Sequence, residues 1–205
     1  MKNQTILSVF VIVTLLACHS KKPAKNNQIK DSLAVTEPIE DQAAIIQEQS
    51  QPDSIKGSVQ AEAVGKLDDT EIKISYYSPA VRGRIIWGGL VPFDKVWVTG
   101  AHSATSIEFN TELIVESKTI PAGKYAFFSI PSKKDWTLII NKNWRQHLTD
   151  RYDEKEDVLR IKITPETEEK MQERLRYVVE VDSEKEGEIV VYWEKLEISL
   201  PFKVK

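Results

Sequence analysis

The chain has 205 residues, enough for one domain with extensions, and 41% of them are hydrophobic, so a core can form. A formal net charge of -3 gives no electrostatic support for a general affinity for nucleic acid. One cysteine, Cys18, excludes an internal disulfide and a multi-cysteine metal site.

The N-terminus reads as an export signal over residues 1–17. Lys2 supplies the positive start, and residues 6–16 form an apolar run broken by Ser8 and Thr14. That run is far shorter than the roughly 20 residues a membrane-spanning helix needs, but it suits a signal-peptide core. It closes on Leu15-Leu16-Ala17-Cys18, which resembles a bacterial lipobox. Lipidation there requires a thiol, because the diacylglycerol is attached through sulfur. The expectation is a lipoprotein held to the membrane through Cys18. His19 in place of aspartate points to the outer membrane.

Residues 18–56 mix Lys, Asn, Gln, Ser, Glu and Pro, with Ala43-Ala44-Ile45-Ile46 as the only apolar cluster. Such a composition buries too little surface to offset its ordering entropy and predicts a disordered, flexible tether.

From residue 57 to 205 the hydrophobic period becomes two. Val59, Ala61 and Ala63 alternate with polar neighbours, and so do Ile72, Ile74 and Tyr76. Residues 78–104 are irregular, punctuated by Pro79, Gly83, Gly88, Gly89, Pro92 and Gly100. Residues 107–109 begin a strand and 113–120 another. Pro121-Ala122-Gly123 is a turn signal that makes 124–130 the returning half of a hairpin. The run 136–140 is mostly apolar, as in a strand buried on both faces. Residues 158–164 alternate, 165–173 read as an acidic connection, and 175–181, 189–193 and 196–204 alternate again. About nine closely spaced strands without crossover helices predict an all-β fold, an antiparallel β-sandwich of jelly-roll or Ig-like type.

Several stretches of this domain together resemble the family known as domain of unknown function 2911. They are Tyr76-Tyr77-Ser78-Pro79-Ala80-Val81-Arg82-Gly83-Arg84, the run from Gly88-Gly89-Leu90-Val91-Pro92 through Trp97-Val98-Thr99-Gly100-Ala101, and Pro121-Ala122-Gly123-Lys124-Tyr125. Trp136, Asn141-Lys142, the Asp157-Val158-Leu159-Arg160 run and Trp193 fit as well. The resemblance implies a Bacteroidota-type envelope lipoprotein and brings no accepted activity. Val98 and His102 depart from the family's usual arginine and asparagine, and Arg145 stands where its Trp-Gly would place glycine.

Candidate ligand-binding residues are Arg82, Arg84, Trp87, Trp97, His102 and Trp144. Two guanidiniums around Gly83 suit a carboxylate or sulfate. Exposed tryptophans on a β-sandwich suit sugar rings, although most tryptophans serve packing. His102 and His147 are the domain's histidines, and Gly100-Ala101-His102-Ser103-Ala104 lacks the Gly-x-Ser-x-Gly of a nucleophile elbow. Neither zinc spacing nor a phosphate-cradling loop is present, so no metal, cofactor or catalytic residue is assigned. Asp68-Asp69 and Glu168-Glu169 read as solvated turn acids. Arg82 and His102 are expected to share a pocket, with glycines allowing their loops to approach.

These features predict a lipid-anchored binding or interaction module of the cell envelope, facing the periplasm or the cell surface. Its partner would be a glycan or an envelope protein. The alternatives are a polysaccharide-acting hydrolase with Asp/Glu as acid and base, or a structural subunit of an envelope complex.

Overall fold

The computed structural model describes Ile46 and residues 48–205. The signal peptide at 1–17, Cys18 and the tether up to residue 45 lie outside the described residues.

Among the described residues, ten strands form two antiparallel sheets. In chain order they are β1 (Val59–Leu67), β2 (Thr70–Ser78), β3 (Thr105–Phe109), β4 (Leu113–Val115), β5 (Lys118–Ile120), β6 (Gly123–Ile130), β7 (Trp136–Asn141), β8 (Asp157–Ile163), β9 (Glu166–Val181) and β10 (Glu186–Lys203). The larger sheet runs β1-β2-β3-β6-β7-β8 and the smaller β5-β4-β10-β9. This is the predicted all-β sandwich. The inner faces meet in a core that includes Ile72, Ile74, Ile107, Phe127, Leu138, Leu175, Ile189 and Val191, all buried. One flank closes tightly: a Cβ on Gly65 of β1 would sit 2.3 Å from a Val179 methyl of β9, so only glycine lets the two strands approach so closely.

Three local expectations need correction. Residues 113–120 are not one strand but the short β4–β5 hairpin, turned at Glu116 with φ 52°. Strand β6 therefore pairs with β3 and β7, not with the strand before the Pro-Ala-Gly turn. Residues 166–173 are no connection either, since β9 begins at Glu166 and carries its acids on a strand. Alternation fades there because β9 and β10 pair with register shifts around Glu194, whose φ is 58°.

The apolar run of β7 has the expected cover on both faces. On the outer face of the larger sheet, Ala126, Phe128 and Ile139 are buried beneath Val98 and Ala104, with Trp144 and Tyr152 packed alongside. The irregular passage before β3 and the loop after β7 thus form a partial third layer. Toward β1 and β2 the outer face turns polar, with Gln60, Ser75 and Tyr77, and the cover stops.

The folded body begins earlier than composition suggests. Ile46 is buried in the main core and Ile55 packs against it. The Glu173 amide donates to the Gln49 carbonyl at 2.6 Å. Arg174, fully buried, donates through Nε and Nη2 to the two oxygens of Asp53, and also to the carbonyls of Ile55, Gly57 and Ser78. Ile46 and residues 48–56 are therefore a strap on β9, which corrects the placement of those residues in the tether. Their apolar content is small, but one buried guanidinium on the distant strand recruits them.

Candidate functional site

Where the outer cover ends, an open cleft of about 680 Å3 lies between the polar part of the larger sheet and the loop of residues 142–152. Its floor carries Tyr77 of β2, Ser106 of β3 and Lys124 of β6. The loop supplies the wall with Trp144, Arg145, His147, Asp150 and Arg151.

That loop is held at many points. Asn141 Nδ2 donates to the Asp153 carbonyl at 2.9 Å, and Asn143 Nδ2 donates to the Arg151 carbonyl at 2.8 Å. Buried Gln146 donates to the Asn143 carbonyl and accepts from the Arg151 amide at 3.0 Å. The loop is also stitched to the irregular passage: the Ala104 amide donates to the Gln146 carbonyl at 3.0 Å, and the Leu148 amide to the His102 carbonyl at 2.6 Å. Ser103 and His147 form an isolated antiparallel bridge. With the backbone fixed this way, the long side chains of the wall project from a rigid base.

His102 adopts φ 58° and places its ring edge against Tyr77, 5.1 Å between centroids. Arg82, Asp94 and Thr99 share such positive φ values in the same passage. Non-glycine residues hold that conformation at a cost and only where their surroundings demand it. His147 Nδ1 lies 3.2 Å from Asp150 Oδ2 on the exposed rim. Trp144 carries Lys124 Nζ 4.6 Å and the Arg145 guanidinium 4.7 Å from its ring centroid, so cations already occupy its π-surface.

The remaining expected residues go elsewhere. Arg82 and Arg84 border a hollow of about 330 Å3 with Gly57, Ser58 and Ala80, whereas Ser103, next to His102, borders the large cleft. Arg84 spends its guanidinium on the Val81 and Ala80 carbonyls, and the Arg82 amide donates to buried Glu173 at 2.7 Å. Trp87 and Trp97 are half-buried and lie away from the large cleft, with Trp87 bordering a separate hollow of about 320 Å3. Trp87 packs edge-on against Trp97, Trp136 and Trp193 at 5.8, 4.7 and 5.6 Å, and Trp97 stacks on Trp193 at 5.6 Å. The four indoles cover one another, leaving Trp136 and Trp193 buried, the arrangement their area favours.

A second cleft, of about 580 Å3, opens where the β9–β10 ladder is irregular. It is lined by Glu168, Glu194 and Glu197, by Arg176 and Tyr192, and by Gln49 of the strap. Burial first, then a hydrogen bond with Glu168, push the Glu197 carboxyl up to about 7. Glu168, read as a turn acid, is half-buried on β9. Nothing in the sequence brings residue 168 to 197; the hairpin does, by setting Glu197 opposite Glu166, two residues from Glu168 on the same strand face. The Arg176 guanidinium lies 4.7 Å from the Tyr192 ring centroid, and the Tyr192 hydroxyl donates to Glu180 at 3.0 Å.

Among the described residues no group of three or more His, Cys, Asp or Glu side chains is placed to hold a metal ion. No described helix is long and apolar enough to cross a membrane.

The fold and its clefts define a two-sheet β-sandwich with loop-built recesses on its outer surfaces. A family model described as a protein of unknown function, DUF2911, matches residues 58–202, and the chain belongs to that family. The matched segment starts after the strap. No curated protein and no solved structure matches the chain.

Proposed function

We propose that this protein is a lipid-anchored binding module of the cell envelope, whose ligand sits in the cleft between the larger sheet and the 142–152 loop. The observation that carries this reading is the cleft itself. It has the volume of a small-ligand site, its wall is braced by hydrogen bonds before any ligand arrives, and polar and aromatic side chains converge in it. Anchoring through Cys18 at the outer membrane is supported by the Leu15-Leu16-Ala17-Cys18 ending.

The hydrolase alternative would use the carboxyls of the second cleft. Glu168 and Glu197 stand within hydrogen-bonding reach of one another. Glycosidases hold their two carboxyls at least about 5 Å apart so that the scissile bond or a water fits between them. Glu168 and Glu197 act on one another as hydrogen-bonding neighbours and not as a spaced acid and base, and the binding reading is preferred.

Two measurements test it. Cys18→Ala should abolish labelling of the protein by radioactive palmitate in growing cells; unchanged labelling ends the lipoprotein assignment. For the cleft, a glycan array probed with the full chain should show ligands that are lost in Trp144→Ala, with the melting temperature falling by only a few degrees. Array binding that survives Trp144→Ala unaltered removes this cleft as the site.

A further inference from the structure

The charge of the large cleft runs against that of the molecule. The chain carries a formal -3, yet the cleft is lined by Lys124, Arg145 and Arg151 against one carboxylate, Asp150, a formal surplus of two. Counting Glu108, which pairs with Lys124 at 3.2 Å outside the lining, a surplus of one remains. Local inversion of this kind concentrates anions in a recess that the rest of the surface repels.

The two arginines are uncommitted. Among the described residues neither the Arg145 nor the Arg151 guanidinium makes an ion pair or donates to a protein acceptor, whereas Arg84, Arg160 and Arg174 are each engaged. Arg145 lies over the Trp144 ring, a contact that leaves the edge of its N–H fork open. Arg151 has its backbone pinned on both sides, amide to Gln146 and carbonyl to Asn143, so its side chain leaves from a fixed point. On the floor, Ser106 is only 6% exposed, lines the cleft, and its hydroxyl has no protein partner among the described residues. A hydroxyl that opens onto the base of a recess and is unspent on the protein is available to a ligand able to hydrogen-bond there.

Building on the binding reading above, we propose that the cleft recognises an acidic saccharide. Arg145 and Arg151 would fork onto its carboxylate or phosphate, and Ser106 with Gln60 would meet its hydroxyls. A guanidinium matches either anion with two parallel hydrogen bonds and opposite charge, whereas a neutral sugar offers neither an anionic acceptor nor that forked geometry. The cleft volume suits a body of two or three sugar rings. The cations over Trp144 explain why charge outranks stacking: a neutral ring would first have to displace them.

Isothermal titration of the full chain in detergent tests this with three probes: trigalacturonate, glucose 1-phosphate and neutral maltotriose. The expected result is binding of an acidic probe at least about tenfold tighter than maltotriose, weakening as salt is raised. Preference between trigalacturonate and the sugar phosphate tells which anion the fork receives. Arg145→Gln with Arg151→Gln should cost that affinity about tenfold or more while the melting temperature stays within a few degrees, since both side chains are exposed. Asp150→Asn should tighten acidic binding about threefold, a gain that damaged folding cannot mimic. Maltotriose binding as well as the acidic probes, with both lost in Trp144→Ala, overturns the acidic preference and leaves the cleft a binding site. No heat from any probe, together with no change in any variant, overturns both.

Discussion

The two clefts are built from opposite materials. The large one is walled by a loop whose backbone is saturated with hydrogen bonds, so its arginines are left free and its charge is positive. The smaller one is cut into a strand hairpin at a register shift, where burial first, and then neighbouring Glu168, pushes the Glu197 carboxyl up to about 7. Both recesses hold guanidinium donors without a protein acceptor, but only the first has an organised frame and a surplus of positive charge; in the other, burial and acidic neighbours favour a protonated Glu197. Fixed geometry with free charge is the better description of a ligand site, and that difference places the proposed function in the first.

The largest effect should come from the strap, which forms part of the second cleft only. A chain starting at residue 57 loses Ile46, Ile55 and Asp53, leaving fully buried Arg174 without its carboxylate. Breaking such a pair costs about 3–5 kcal/mol, and Asp53→Ala alone should lose most of it, lowering the melting temperature by roughly 10 °C in a domain of this size. Acidic-probe affinity at the large cleft should be unchanged at temperatures where the variant is folded. A melt within 2 °C of the intact chain in scanning calorimetry would show that Arg174 finds another partner. The Arg174 guanidinium holds the Asp53 carboxyl well below its usual 3.8, so this contribution is complete above that pH and fades as pH falls through the lowered value.

Trp144→Ala comes next in size. The ring is half-buried against the Phe128 and Ile139 cluster, and losing it should cost about 1–2 kcal/mol. Because Gln146, Asn141 and Asn143 hold the loop independently, amide exchange at Leu148 and Arg151 should remain slow. Fast exchange at both would make Trp144, and not the hydrogen bonds, the element that orders the wall.

The smallest effect is a slope. Glu197 has a folded pKa of about 7 against an ordinary 4.5, so the native state favours its protonated form. Its contribution is complete below 4.5 and is lost as pH rises through 7. Glu197→Gln should flatten the decline in melting temperature between those values, and a parallel decline in both proteins would remove the crowded pair. Carboxyl titration by NMR would read the same group directly.

Much of the sandwich was legible along the chain. Leu159 and Ile161 alternate with Arg160 and Lys162, and Ile72 and Ile74 with Lys73, because a strand with one wet face permits nothing else. The mostly apolar Trp136–Ile140 run announced cover on both sides before any cover was visible. Hairpin partners were not legible in the same way. A Pro-Ala-Gly turn reads identically whether the chain returns to its neighbour or, as β6 does, lies down beside β3.

Alternation, turn residues and composition are local properties, and from them the sequence by itself determined an all-β domain, most of its strand positions, its irregular central passage and the likeness to its family. Trp144 and the neighbourhood of His102 could be singled out in the same way, since an aromatic in a polar loop and a histidine among small residues stand out from their neighbours. Residue type alone could not say that Arg174 would swallow Asp53 from 121 positions away, that Trp87 would turn inward to three other indoles, or that Glu168 would meet Glu197. It could not separate Arg84, spent on its own turn, from Arg145 and Arg151, left free. Those outcomes depend on long-range pairings, and only the packed sheets decide which charged groups find partners inside the fold and which are left facing a cleft.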